Sequence, residues 1–331
     1  MKMRTIRIHA YGGPEVMQLE EQALPLPGPG QALVRVHAAG VNFLDIQERR
    51  GDLASQHFYQ ASGISVELGL EGAGVIEAID PEVSHLKVGD RVAWAGVNGS
   101  YASHILAPAY HLIPIPDEMS FEQAAAVLFQ GMTAYVLTHL AYPIKPDDWC
   151  LVQAAAGGIG LLLCQMAKRR GGRVIGITST QEKAQAVHKV GVQDVLISTL
   201  ADQVQDVRRI SGGQGVQVVY DGIGKATFEA NLDSLAPCGS LLIYGQASGF
   251  IPPFDLMTLM EKGSLFITRV AAYHYLRDPQ QASRCLQDLF TWLLQGQLSV
   301  KIDRTYPLAE AALAHQAMEQ RQTSGKVLLL P

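Results

Sequence analysis

Along the first third of the chain, apolar and polar positions alternate in short runs. Ala32 to Ala38, Ala73 to Ile79, Arg91 to Ala95 and Ala102 to Leu106 read as strands. The breaks between them carry glycine and proline: PLPGPG at 25–30, VGD at 88–90, NGS at 98–100. That pattern predicts an irregular β-rich domain. The period then changes. Residues 120–140, SFEQAAAVLFQGMTAYVLTHL, predict a helix with Ser120 as N-cap and Gln123 as its capping-box partner. From Asp148 to about Ile267, strand and helix patterns alternate, with strands at 150–153, 173–178, 195–197, 216–220, 240–244 and 264–268. This alternation predicts a parallel, doubly wound sheet. Beyond it come helices over 282–295 and 308–320, a strand near Tyr306 and a closing strand, KVLLL. The fold class is α/β, a doubly wound sheet beside a smaller β-rich domain, with the tail returning to the N-terminal domain.

Composition adds limits. A chain of 331 residues exceeds one typical domain, so two are expected. Hydrophobic residues make up 48% and charged residues 17%, ordinary for an α/β protein with a large core. The net charge of −5 offers no basic field, which excludes nucleic acid and anionic membrane as main partners. MKMRTIRIHAYGG reads as a strand and not a signal peptide. No apolar run approaches the ~20 residues needed to span a bilayer. Cys150, Cys164, Cys238 and Cys285 show no C-x-x-C spacing, and the first three sit in apolar context. They read as reduced, buried thiols of a cytoplasmic protein.

The chemistry concentrates in residues 149–170, WCLVQAAAGGIGLLLCQMAKRR. An apolar strand, a small-residue turn and a helix follow one another. That geometry sets a pyrophosphate on a helix N-terminus. The pattern is A-x-x-G-x-x-G, with Ala154 at the first glycine's place. Ala156, Gly157, Gly158, Ile159 and Gly160 are the candidate phosphate-binding residues. Rossmann folds that prefer NADH place an acid about 20 residues further on. Here the second strand, VIGITST, ends without one. Ser179 and Thr180 can hydrogen-bond a 2′-phosphate and Lys183 can supply its counter-charge, so NADPH is the expected cofactor.

Several stretches together resemble a known family: GVNFLDIQERRG (40–51), LGLEGAGVIEAI (68–79), KVGDRVAW (87–94), SFEQAAAVLFQGMTAY (120–135), QAAAGGIGLLLCQMAK (153–168), VVYDGIG (218–224), GSLLIYG (239–245) and GSLFITR (263–269). The chain resembles the medium-chain dehydrogenase/reductase superfamily and, within it, the zinc-independent quinone oxidoreductases of zeta-crystallin type. The resemblance implies a GroES-like substrate domain (1–125 and 270–331) and a Rossmann domain (126–269), with the active site in the cleft between them. It implies a 2′-phosphate contact from Lys183, a further cofactor contact at Ser198 and Thr133 near the nicotinamide ring. Tyr244, Gly245 and Gln246 are implied near the nicotinamide ribose. Phe266, Ile267 and Thr268 are implied to offer backbone groups to the carboxamide.

Zinc-dependent relatives carry a cysteine and a histidine where this chain has Asn42 and Leu70. Leucine cannot ligate a metal and an asparagine amide is a poor zinc ligand, so no metal is expected. A metal-free site can deliver hydride to an acceptor that is already electron-poor, such as a quinone or an activated alkene. The developing oxyanion then needs hydrogen-bond donors, and stacking supplies proximity. Asn42 is the candidate amide donor. Arg49 is a candidate positive charge, or else a structural ion pair with Asp45 or another acid. Asp45 is a candidate for fixing the loop. Gln47 stands where many family members have tyrosine; it can hydrogen-bond cofactor or acceptor but is no practical proton donor. That favours a quinone over an enoyl thioester, with Tyr59, Tyr101, Tyr273 and His274 as alternative proton donors. The expected function is an NADPH-dependent quinone oxidoreductase. The alternatives are an alkenal or enoyl reductase, or an NADPH-binding structural or regulatory protein with residual turnover. The apolar strand GSLFITRVAAY predicts an uncovered sheet edge and a two-fold homodimer.

Overall fold

The computed structural model describes residues 2–52, 66–197 and 200–331. Its N-terminal alternation folds as β1 (Lys2–Ile8), β2 (Gln18–Ala23), β3 (Gln31–Val41), helix α1 (Phe43–Arg50), β4 (Val66–Glu67), β5 (Glu71–Ile79), β6 (Arg91–Ala95), β7 (His104–Pro108) and β8 (Ile113–Pro114). β1 pairs antiparallel with β2 and β4. The longer strands form a second sheet in the order Ile302–Pro307, Lys326–Leu330, β3, β5, β6, β8, with β7 also on β3. Alternate side chains from these strands, Ile8, Val34, Ile76, Trp94 and Leu329 among them, fill one apolar core.

Helix α2 (Phe121–Tyr135) starts at the expected capping box. Ser120 N donates to Gln123 Oε1 at 3.0 Å and Gln123 N donates back to Ser120 Oγ at 3.1 Å. The helix continues as a π-helical turn, Val136–Ala141. Phe121–Ala141 is, among the described residues, the one helix long and apolar enough to cross a membrane; 67% of that window is buried in the protein's own interior.

Next come β9 (Trp149–Val152), α3 (Gly158–Arg169), β10 (Arg173–Ile177), α4 (Gln181–Lys189), β11 (Asp194–Leu196), α5 (Leu200–Ile210), β12 (Val216–Asp221), α6 (Phe228–Ser234), β13 (Leu235–Ile243), α7 (Met257–Glu261) and β14 (Phe266–Arg269). The strands are parallel and run β11-β10-β9-β12-β13-β14. That is the doubly wound Rossmann order, with the turn after β9 at the switch point. β13 starts five residues before its expected start because Pro237, Cys238 and Gly239 hide it; Cys238 adopts φ 58° there. Cys238 is exposed, contrary to its apolar context, whereas Cys150, Cys164 and Cys285 are buried. Burial pushes the Cys164 thiol up to about 12.

Helices α8 (Ala272–Tyr275) and α9 (Pro279–Leu294) precede β15 (Ile302–Pro307), α10 (Ala311–Glu319) and β16 (Lys326–Leu330). The chain divides into two units, Met1–Phe129 with Ile302–Pro331, and Gln130–Lys301. The stretch 270–301, expected with the β-rich domain, therefore belongs to the Rossmann unit. The reason is α9. Its Trp292 stacks with Tyr135 at 6.0 Å and lies under the Arg169 guanidinium at 4.4 Å. Just beyond it, Ser299 N donates to Gln165 Oε1 at 2.8 Å. Only β15, α10 and β16 return to the β-rich unit.

Candidate active site

The Rossmann unit supplies a dinucleotide cradle. α3 begins at Gly158 with Gly157 as N-cap, and its first turn holds no acid. Its N–H groups and dipole favour an anion there. A Cβ on Gly160 would come within 2.7 Å of Ala155 O, so only glycine fits. Ala154, at the first glycine's place, adopts the left-handed φ of 48° that glycine would take without strain. Gln130, reaching over from α2, lies against the turn: a Cβ on Gly158 would sit 2.8 Å from its Cδ. This buried glutamine was not read from the sequence, although a lone amide inside VLFQGM is a signal of a polar contact.

At the end of β10, Thr180 stands as the N-cap of α4. Its Oγ1 caps α4 by accepting from Lys183 N at 3.2 Å. Ser179 is exposed beside it and Lys183 follows on the first turn of α4. Ser198 and Tyr59 lie outside the described residues. After β12, buried Asp221 accepts from Ile223 N (2.7 Å), Gly224 N (3.1 Å) and Thr227 Oγ1 (2.9 Å). Burial raises its carboxyl, against the pull of those donors. The turn so held packs Gly222 against the Tyr244 ring, where a Cβ would meet Cε2 at 2.8 Å, and sets Gly222 O where a Cβ on Gly245 would meet it at 2.6 Å. Tyr244, Gly245 and Gln246 thus follow β13 in close backbone approach. Phe266, Ile267 and Thr268 lie on β14, paired with β13 on one side, and Thr133 lies on α2 three residues past Gln130. Two approaches only glycine permits, a helix N-terminus and a lysine at a second one fit a dinucleotide with a 2′-phosphate.

The β-rich unit holds a polar centre that strand register builds. β16 runs antiparallel to β3 with Val327 opposite Val41, which brings Lys326 beside Asn42. On the other side of β3, β5 has Gly72 opposite Ala39, which brings Glu71 beside Gly40. Asn42 Nδ2 donates to Glu71 Oε1 at 2.7 Å, and Lys326 Nζ donates to Asn42 Oδ1 at 2.9 Å. Lys326 also pairs with Glu71 Oε1, and Glu71 Oε2 accepts from Phe129 N at 3.0 Å. Asn42, Glu71 and Lys326 are all buried.

Asn42 opens α1, and Asp45 Oδ2 accepts from Asn42 N at 2.8 Å. Tyr101 OH donates to the same oxygen at 2.8 Å and lies 3.0 Å from His315 Nε2. Arg49 Nη1 lies 3.3 Å from His315 Nδ1. An arginine can only donate, so Nδ1 accepts and Nε2 carries the hydrogen. The chain of donors runs Arg49, His315, Tyr101, Asp45. Burial, reinforced by Arg49 and Arg50, pushes His315 down to about 3, so it is neutral. Burial pushes Asp45 up to about 7 against its donors. Burial and then the Asp45 charge push Glu48 to about 7.

This geometry decides between two expectations. Arg49 is fully buried and spends its guanidinium on His315, on Gly12 O at 3.2 Å and on an ion pair with Glu319. It is the structural ion pair, with Glu319 as its acid in place of Asp45. Tyr101 is buried with its hydroxyl donating to Asp45, and burial raises its phenol well above the usual value, so it holds its proton tightly. Asp45 fixes the first turn of α1, as expected. Gln47 is buried on α1. Tyr273 and His274 are neighbours on α8, their rings 4.2 Å apart.

The centre does not fit zinc. Leu70 is a buried hydrocarbon, the Asn42 amide is held by Lys326 and Glu71, and an ammonium already sits on the carboxylate. Among the described residues no group of three or more His, Cys, Asp or Glu side chains is arranged to hold a metal.

Comparison with known proteins agrees with both halves. Residues 28–117 match the alcohol dehydrogenase GroES-like domain and residues 190–329 match the family described as zinc-binding dehydrogenase. A quinone oxidoreductase of Pseudomonas aeruginosa is 39% identical over 99% of this chain and 99% of its own. A 2-haloacrylate reductase of a Burkholderia species is 39% identical over 98% of each chain. The structure of Escherichia coli quinone oxidoreductase complexed with NADPH superposes with a TM-score of 0.93 at 36% identity, covering 99% of this chain and 100% of that one. The fold and its cofactor cradle define a medium-chain dehydrogenase/reductase. Within that superfamily, the chain belongs to the quinone oxidoreductase family.

Proposed function

We propose that this protein is an NADPH-dependent quinone oxidoreductase that works without a metal. The observation that carries the reading is the polar centre around Asn42. It holds an amide, Asn42, and a hydrocarbon, Leu70, at the positions where metal-dependent relatives carry zinc ligands, with the Lys326 ammonium on the amide. Bound NADPH supplies a hydride, which brings the acceptor two electrons and one hydrogen; the second proton comes from water. The chain's own residues bind and orient. The first turn of α3 takes the pyrophosphate, and Ser179 and Lys183 take the 2′-phosphate. Thr133, Tyr244, Gly245, Gln246 and the backbone of Phe266, Ile267 and Thr268 seat the nicotinamide end, with Gln47 as a further polar contact. Asn42 donates a hydrogen bond to the developing oxyanion. Gln47 stands where many relatives carry a tyrosine, which supports acceptors that need no strong enzymic acid.

A second reading, reduction of an activated alkene, is favoured by the 2-haloacrylate reductase relative. Steady-state rates with 1,4-benzoquinone, 9,10-phenanthrenequinone, 2-chloroacrylate and crotonyl-CoA separate the two. Faster reduction of a quinone supports the first reading, and faster reduction of either alkene overturns it. The active form is a homodimer. Support comes from the unpaired outer edge of β14 and the exposed Phe254, Leu256, Met257, Met260 and Phe266 near it in sequence. Light scattering tests this, and a monomer at micromolar concentration contradicts it.

A further inference from the structure

Lys326 is a lysine buried at the start of an apolar strand. Lys326 is 1% exposed and Glu71 is 0% exposed; Lys326 opens a strand otherwise made of Val and Leu, and Glu71 opens one whose other charge, Glu77, is exposed. Burying two charges is costly unless they are paired and hydrogen-bonded. Here they are, and the third member of the group is Asn42. The ammonium has only hydrogens to offer, so the amide end facing it at 2.9 Å is Oδ1. The opposite end, Nδ2, then faces Glu71 at 2.7 Å. Lys326 on one end and Glu71 on the other are consistent with a single orientation of the amide. The carboxylate has little latitude of its own, since Oε2 is tied to Phe129 N at 3.0 Å. Gly40 leaves room for it, for a Cβ there would come within 2.6 Å of Glu71 Cδ.

We propose that Lys326 and Glu71 are a positioning pair that sets the orientation of the Asn42 amide. Lys326 holds the Oδ1 end and Glu71 holds the Nδ2 end, so the amide plane is fixed from both sides. The proposal rests on the reading of Asn42 as the donor to the acceptor oxygen.

The test is a double-mutant cycle on the full chain. Lys326→Met alone strands a buried carboxylate and can fail to fold. The working variant is therefore Lys326→Met with Glu71→Gln, which leaves the site neutral. It is compared with Asn42→Ala and with the triple variant. Read-outs are kcat and KM for 1,4-benzoquinone and the Kd for NADPH by fluorescence. The expected result is a kcat about tenfold lower in the paired variant, with NADPH affinity within about twofold. In the Asn42→Ala background the paired change has no further effect on kcat. Additive losses, or full kcat in the paired variant while Asn42→Ala is slow, overturn the pair's role and leave Asn42 standing. Unchanged kcat in Asn42→Ala overturns both.

Discussion

Tyr101→Phe removes one oxygen from the buried donor chain and nothing else. The ring stays, so no cavity opens and the hydrophobic contribution is unchanged. Two bonds go: the one to Asp45 Oδ2 at 2.8 Å and the one from His315 Nε2 at 3.0 Å. The stranded His315 N–H costs about 1–3 kcal/mol at any pH at which the protein folds. The bond to Asp45 depends on its charge. To a carboxylate it is worth about 1.5–3 kcal/mol, to a neutral acid about 1 kcal/mol. Burial pushes Asp45 up to about 7, so the native state holds its proton more tightly than the unfolded chain. The stability this group contributes is fully present below its unfolded pKa and is lost as pH rises through 7. Glu48, also pushed to about 7, acts in the same direction. Tyr101 pulls Asp45 down, so its loss is felt more when Asp45 is ionised. The expected loss is about 2–4 kcal/mol near pH 5 and about 1 kcal/mol more near pH 8. Urea unfolding followed by tryptophan fluorescence measures it, since Trp94 is buried in the same unit. An equal loss at both values, or a larger one on the acid side, refutes the assignment of Asp45 as the titrating partner.

Two further outcomes follow from the Rossmann unit. Lys183→Ala should weaken NADPH about ten- to a hundredfold and leave NADH nearly unchanged, as read by fluorescence titration; equal weakening of both would place the 2′-phosphate elsewhere. Gly160→Ala should abolish NADPH binding and lower the melting temperature, because its Cβ would meet backbone oxygens of Ala154 and Ala155, whereas Gly158→Ala meets the movable Gln130 side chain and should cost less stability; the reverse order in a thermal melt would contradict the turn geometry.

Much of this was legible in the chain. The glycine turn and the strand–helix alternation of the Rossmann unit follow from local pattern, and so do the Ser120–Gln123 box and the return of the C-terminal strand. Sequence pattern fails where long-range packing decides. The stretch 270–301 changes unit because Trp292 of α9 packs on Tyr135 and Arg169, and no local signal states that. Arg49 looked available for chemistry because its partners, His315 and Glu319, lie far along the chain. From sequence Lys326 reads as a strand residue, and Glu71 falls just before the strand expected from Ala73. The signal was partial: a lysine at the head of an otherwise apolar strand is a charge that must find a partner. Only the register of β16 and β5 on β3 says that Lys326 and Glu71 meet at Asn42.

The most direct test of a metal-free NADPH-dependent reductase measures zinc content and turnover on one preparation. The protein is treated with a chelator, its zinc is determined by elemental analysis, and its NADPH oxidation with 1,4-benzoquinone is followed. The account predicts far less than one zinc per chain with turnover undiminished. One tightly held zinc per chain, with activity lost on its removal and restored on its return, would contradict it.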